Sequence, residues 1–447
     1  QATDGSRFLD MEVRTGGVLG VDFLAELDHS LEETDAALAS DYPGEDERRQ
    51  PIHTVYVPAD TYSRDLVGVW GLQAEDLLRA HGGAEALCSE TLALPQELSA
   101  EVAPRVEAKL ADSPIEDLRI DFEDGYGDRG DEAEDAEAVR TAIEVAASFR
   151  AGEAPPFVGI RFKCFEQQTR RRGVRSLDLF LATLLAELEA LPAGLVLTLP
   201  KVSTVSQVEA MVAVCAELET AHALPAGALR FEIQVETPQL ILGADGRIPL
   251  AAAVHAGAGR VTSLHYGTFD YSASLQIAAA FQAADHPAAD FAKHVMQVAV
   301  AGTGVHLSDG STNILPIGSA EQVQRAWTIH AGLVRRALER GIYQGWDMHP
   351  GHLPTRFAAT FAFFRQGYPQ AARRLSDFAD KVDGEVLDEP ATARALARFL
   401  HRGLACGAVD EAEVRDSTGF TPEALAHLAR PRSDTAQPHH RRLKERS

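Results

Sequence analysis

Between residues 52 and 349 the chain alternates short apolar runs with longer stretches of helical period. The runs cover residues 52–58, 118–122, 157–163, 195–200, 231–236, 261–266, 304–307 and 344–349. Their length and their β-branched and aromatic content predict buried strands. The stretches between them predict helices over 66–81, 131–149, 177–191, 205–222, 250–256, 273–301, 320–340 and 352–364. Leu177, Phe180, Leu181, Leu184 and Leu188, for example, fall on one helical face.

Eight strand-then-helix units admit a closed barrel or an open, doubly wound sheet. An open sheet usually carries a glycine-rich phosphate turn after its first strand, and none follows Val57. The count of eight favours the α/β class with a (β/α)8 TIM barrel over residues 51–370. The long first connection predicts an inserted helix near 98–110. Residues 1–50 form an acidic N-terminal extension with a helix over 22–38. Beyond 370 the strand rhythm stops, and helices over 371–382, 391–404 and 421–429 predict a helical C-terminal arm (371–430). The basic, polar stretch 431–447 predicts a disordered tail.

The 447 residues carry a formal net charge of −24. Such a surface repels nucleic acid and anionic membranes, so neither is an expected partner. No apolar run approaches a membrane span, and residues 1–10 lack a signal pattern. Cys88, Cys164, Cys215 and Cys406 lie far apart, which argues against a zinc module or a disulfide scaffold and predicts a cytoplasmic location. An anionic substrate would need a local basic pocket. The acidic run 128–137 reads as a solvated face.

In a barrel of this kind the site lies at the C-terminal ends of the strands. There the sequence places Asp121, Glu123 and Asp124, then Arg161 and Lys163, Lys201, Glu236, His265 and Asp270, His306 and Asp309, and Asp347 and His349. Glu236 and Asp270 each close an apolar run without a basic neighbour in sequence. Ending a buried strand on a carboxylate is costly unless a cation or a substrate meets it. Two carboxylates that leave water positions open suit Mg²⁺, or Mn²⁺. Such a site chelates a 2-oxo acid and stabilises an enolate, with Arg161 matching the acid's carboxylate. Arg161 has a second reading, neutralising Asp121, and Lys201 one as a surface lysine. No Walker or kinase motif points to phosphoryl transfer.

The order Val55-Tyr56-Val57-Pro58, Asp121-Phe122-Glu123-Asp124, Arg161, Leu199-Pro200-Lys201-Val202, Val235-Glu236-Thr237, Asp270 and Met348-His349-Pro350 resembles the citrate lyase beta-subunit-like family. That family lies in the phosphoenolpyruvate/pyruvate barrel superfamily with malyl-CoA lyases and relatives of malate synthase. The resemblance implies a Mg²⁺-dependent carbon–carbon lyase or aldolase. It implies Glu236 and Asp270 as metal ligands, Arg161 on the acid's carboxylate, Glu123 near the metal-bound water, and Lys201 lining the site. The segment Gly384-Glu385-Val386-Leu387-Asp388-Glu389-Pro390 resembles one that crosses to a neighbouring subunit in the family, which implies a homo-oligomer whose C-terminal arm packs on that neighbour and Asp388 as acid–base group. Asp388 also reads as a helix N-cap.

Several positions depart from the family pattern. Lys163 stands where an asparagine is usual and suggests, with Asp121, contact to an extra polar or anionic group. Phe269 precedes Asp270, Pro238-Gln239-Leu240 follows the metal glutamate, and residues 167–175 insert Arg170-Arg171-Arg172, which reads as a solvated loop or, alternatively, as a site for a phosphate or a coenzyme A tail. These changes surround the expected substrate. The substrate stays open between a free 2-oxo acid or its hydroxy adduct and an acyl-CoA thioester with glyoxylate, in which coenzyme A is part of the substrate. A non-catalytic barrel that binds a small acid is the reading from another class.

Overall fold

The computed structural model describes residues 18–45, 48–380 and 390–430. They fall in two units, Gln1–Pro43 and Gly44–Ser447. In the first, the helix Val21–Asp41 is exposed along its whole length.

The second unit is a (β/α)8 barrel. Its strands are β1 (His53–Pro58), β2 (Asp117–Asp121), β3 (Phe157–Arg161), β4 (Leu197–Leu199), β5 (Phe231–Val235), β6 (Val261–Tyr266), β7 (His306–Ser308) and β8 (Gly345–Asp347). All pair in parallel, in the order β7-β6-β5-β4-β3-β2-β1-β8. A parallel bridge between Ser308 and Gln344 closes the ring, and the Asp309 N–H donates to the Gln344 carbonyl at 2.8 Å across the same seam.

Alternation along the strands explains both the apolar signal and the chemistry inside. Val55, Leu118, Ile120, Val158, Ile160, Leu197, Leu199, Ile233 and Leu264 are buried and form the core shared with the helices. The alternate residues Thr54, Tyr56, Asp117, Arg119, Asp121, Arg161, Thr198, Glu232, Gln234 and His265 are buried too, and they hydrogen-bond one another across the lumen. A barrel interior usually fills with branched aliphatics. Here it is a polar column. Gly159 makes room for it: a Cβ there would lie 1.6 Å from the Val196 carbonyl oxygen and 2.9 Å from Arg119 Nη1.

The strands lie within two residues of the predicted runs, the helix Glu411–Thr418 is one not expected, and the expected helices differ most in three places. The single helix expected over 273–301 is two, Thr268–Ser274 and Pro287–Val300. Pro287 occupies the first turn of the second, and His286 Nδ1 accepts from Ala288 N at 3.1 Å as its cap. The expected loop 167–175 is helical from Arg170, the start of Arg170–Glu187. The stretches 352–364 and 371–382 join in one helix, Leu353–Asp380, because Phe357, Phe361, Phe364, Tyr368, Ala372 and Leu375 continue one buried stripe across position 370.

The helix Pro390–Ala405 packs on this same chain, with the Phe399 ring 5.1 Å from Phe364 and Arg402 4.3 Å above Tyr343. The segment 384–389, with Asp388, and the tail 431–447 lie outside the described residues. No helix among the described residues is long and apolar enough to cross a membrane.

Candidate active site

At the C-terminal rim of the barrel, strand ends from β2 to β6 bring five carboxylates round two cations. Glu236 follows β5 directly and is buried. Its Oε1 accepts from the backbone N–H of Lys201 at 2.9 Å. Gly267, just past β6, leans against it: a Cβ at 267 would sit 2.4 Å from Glu236 Oε2. Asp270 does not end a strand. It sits in the first turn of the helix Thr268–Ser274, half exposed.

Glu123 and Asp124 follow β2. Glu123 Oε1 accepts from Lys201 Nζ at 2.5 Å and its Oε2 from the Asp124 N–H at 2.9 Å, while both Asp124 oxygens lie 2.8 Å from the same Nζ. Lys201 Nζ is also 3.9 Å from Asp270. This ammonium is held in place from its own backbone, because Lys201 has φ +48°, a left-handed conformation that costs a side-chain-bearing residue on the order of 1–2 kcal/mol.

Arg161, the last residue of β3, grips Asp121 in a two-pronged pair: Nε to Oδ1 at 2.7 Å and Nη2 to Oδ2 at 2.6 Å. Its third nitrogen, Nη1, makes only a 3.3 Å contact with Gln234 Oε1 and lies 3.9 Å from Glu123. The expected pairing with Asp121 and an outward-facing donor therefore coexist in one side chain.

Two cations do not neutralise this rim. Burial, reinforced by Asp270 and Glu123, pushes the Glu236 carboxyl from 4.5 up to about 8. Burial and Asp124 raise Glu123, and burial raises Asp270 against the pull of Lys201. Asp124 alone moves down, because hydrogen bonds from Lys201 and Glu123 outweigh its own burial. The Lys201 ammonium is held charged well above its ordinary range by Glu123 and Asp124 despite burial.

The donor set fits a hard divalent cation. Glu236 has one oxygen anchored by a backbone N–H, and Gly267 leaves space beside the other. Asp270 stands beside it, and Glu123 is close enough to raise its pKa. These are the oxygen ligands that Mg²⁺ and Mn²⁺ select.

Other residues that the sequence placed at strand ends have protein partners. The Lys163 ammonium donates to the carbonyls of Phe122 (2.8 Å) and Gly127 (3.0 Å) and to Glu134 (2.5 Å). An ammonium has three donors, so none is left for a substrate anion. Glu134 is itself buried, so the acidic run 128–137 is not a solvated face throughout. Arg172 and Arg175 pair with Asp135, leaving Arg170 and Arg171 exposed. Asp309 pairs with Lys293 at 2.9 Å.

Asp347 points out of the barrel and binds His53, His330 and Arg356. With His330 and His352 it has ligand atoms within 4.8 Å of one another. The guanidinium of Arg356 already supplies the cation there, so this cluster is a packing knot.

Two site residues gave no signal in the sequence. Tyr56 and Trp346 face each other across the β1–β8 seam, ring centroids 4.1 Å apart, with Arg161 Cζ 5.0 Å and 5.4 Å from their rings. Aromatic residues inside apolar strands read as core, and only the period-two phase with Arg161 could have marked them.

Residues 31–433 match the family described as "Domain of unknown function (DUF6986)", and the chain belongs to that family. No curated protein matches it in sequence. Among solved structures, it is similar to a citrate lyase from Burkholderia xenovorans LB400, at 19% identity and TM-score 0.55, over 82% of this chain and 96% of that one. It is also similar to Haloferax volcanii malate synthase in a magnesium/glyoxylate complex, at 14% identity and TM-score 0.47, over 86% and 99%. A third is the protein CitE from Mycobacterium tuberculosis in complex with magnesium, acetoacetate and coenzyme A, at 15% identity and TM-score 0.43, over 79% and 98%. The fold is thus that of the citrate lyase barrel.

Proposed function

We propose that this member of the family is a Mg²⁺-dependent carbon–carbon lyase or aldolase acting on a 2-oxo acid, or on its hydroxyacyl adduct, through an enolate. The observation that carries the reading is Glu236, a buried carboxylate whose pKa of about 8 reflects burial beside two further carboxylates. A site built this way lowers its free energy when a divalent cation arrives. The barrel of the citrate lyase from Burkholderia xenovorans LB400 is the structural parallel.

Glu236 and Asp270 would hold the cation. When bound, Mg²⁺ supplies Lewis-acid stabilisation of negative charge that develops on the keto oxygen. The remaining work belongs to the chain. Arg161, fixed by Asp121, directs Nη1 at the acid's carboxylate. Lys201 keeps Asp124 ionised at the rim and lines the acid's approach. Glu123, its pKa raised by burial and Asp124, would stand near a metal-bound water as a catalytic group. Asp388 moves the proton on the second substrate, from its own or a neighbouring chain.

Calorimetry with oxalate, an enolate mimic, tests the reading. Oxalate is expected to bind only with Mg²⁺ present. Equal binding in a chelator removes the metal from the account, and binding without turnover of any 2-oxo acid or thioester leaves a non-catalytic acid-binding barrel. The thioester form of the reaction has one observation in its favour. Arg170 and Arg171 are exposed, after β3, on a chain of net charge −24. Tighter coenzyme A binding by the native chain than by Arg170→Ala/Arg171→Ala selects that form.

A further inference from the structure

We propose that Lys201 sets which cation the rim accepts: by engaging Glu123 and Asp124 it leaves Glu236 and Asp270 as the protein's metal ligands, a set that favours Mg²⁺ over Ca²⁺. The inference deepens the metal reading above and rests on it.

Lys201 meets four carboxylates of the rim. Its backbone N–H donates to Glu236 Oε1 at 2.9 Å. Its ammonium donates to Glu123 Oε1 at 2.5 Å and to both oxygens of Asp124 at 2.8 Å, and it lies 3.9 Å from Asp270. The four are treated unequally. A backbone amide orients Glu236 but carries no net charge, so that carboxylate keeps its attraction for a cation. Asp270 is beyond hydrogen-bond range of the ammonium. Glu123 and Asp124 instead accept short bonds from a full positive charge, which are the strong ones. To ligate a metal, either would have to leave the ammonium or draw it up against a dication.

The backbone fixes this arrangement. With φ at +48°, the N–H and the side chain of one residue both reach the rim. A strained conformation of this kind persists where its surroundings over-determine it, and here the carboxylates themselves supply the contacts. The group is open to ions from solvent, since the side chains are 20% exposed at Lys201 and 45% at Asp270.

The division of carboxylates decides between the two commonest hard cations. Mg²⁺ binds through one or two carboxylates and keeps several waters, whereas Ca²⁺ takes about six to eight oxygens and tightens as carboxylates are added. Glu236 and Asp270 alone describe the first case, with water positions left for the oxygens of a 2-oxo acid. Glu123 and Asp124 gather on the same ammonium that neighbours Asp270, so their release would add ligands beside the cation and describe the second.

Lys201→Met removes the ammonium and keeps the backbone N–H. In calorimetry with each ion alone, its ratio of Ca²⁺ to Mg²⁺ affinity is expected to rise at least about tenfold over that of the native protein. A merely structural lysine would weaken both ions together, so an unchanged or lower ratio overturns the proposal and leaves the metal reading standing. Lys201→Arg keeps the charge and should keep the native ratio, and the same shift in that variant overturns the proposal as well. Failure of the native protein to bind Mg²⁺ overturns the metal reading and this one with it. Should Lys201→Met not fold, Asp124→Asn decides in a chain that retains Lys201. Its Mg²⁺ affinity is expected to stay within about tenfold of native because Asp124 is not a ligand, and a greater loss overturns the proposal.

Discussion

Glu232 on β5 and Glu236 just beyond its end are four residues apart, both buried, and their surroundings treat them in opposite ways. Glu232 accepts two hydrogen bonds from Arg119 at 3.1 Å and others from Tyr56 and Thr198, and lies 3.0 Å from His265. Burial alone would raise its pKa, but Arg119 and His265 carry it far below the ordinary carboxylate range. Glu236 has burial of the same order and a net excess of carboxylates around it, so its pKa rises to about 8. The difference is one of completeness. The column under the rim contains its own counter-charges, whereas the rim lacks one.

The largest effect that would break this comparison is in the column. Glu232→Ala leaves Arg119 buried and half unpaired, and chemical denaturation should show a loss of about 3–5 kcal/mol. A loss below about 1 kcal/mol would mean that the column is not a closed charge network. At the rim the matching substitution should behave differently. Glu236→Gln should lower Mg²⁺-dependent oxalate affinity by about a hundredfold, read by calorimetry, without loss of stability.

The pH dependence sharpens the contrast. Glu236 has a folded pKa above its ordinary 4.5. Its contribution to stability is therefore complete below about pH 4.5 and is lost as pH rises toward 8. Glu236→Gln should gain stability relative to the native metal-free protein at pH 8 and show no gain at pH 4, in parallel melts. Mg²⁺ must displace the proton, so its affinity should fall about tenfold for each unit below pH 8.

Lys163 sits near the rim but is satisfied like a column residue. Lys163→Met should cost about 1.5–3 kcal/mol in denaturation and change oxalate affinity less than about threefold. A large loss of affinity with intact stability would return Lys163 to the substrate site.

The eight strands were legible because their outward residues are continuously apolar, and parallel strands packed under helices need that. The same signal hid the inward residues. Asp117, Arg119 and Asp121 alternate along β2, yet a strand this short reads as apolar with polar ends. Glu236 was legible from the cost of ending a buried strand on an acid. Asp270 was found as a residue but misplaced, because Gly267 ends β6 and starts a helical turn that the apolar run masks. The partner of Lys163 was not legible, since Glu134 belongs to an acidic helix that opens with the exposed carboxylates Asp131 and Glu132. Trp346 carries no polar mark that separates it from core, and its place against Tyr56 beside Arg161 shows only in three dimensions.

The account stands on a cation at Glu236 and Asp270, and a crystal soaked with Mg²⁺ and a small 2-oxo acid measures it directly. The predicted result is metal density between those two carboxylates, with the acid's carboxylate turned toward Arg161. Metal at the His330, Asp347 and His352 cluster, or an acid bound with no metal beside Glu236, would contradict it.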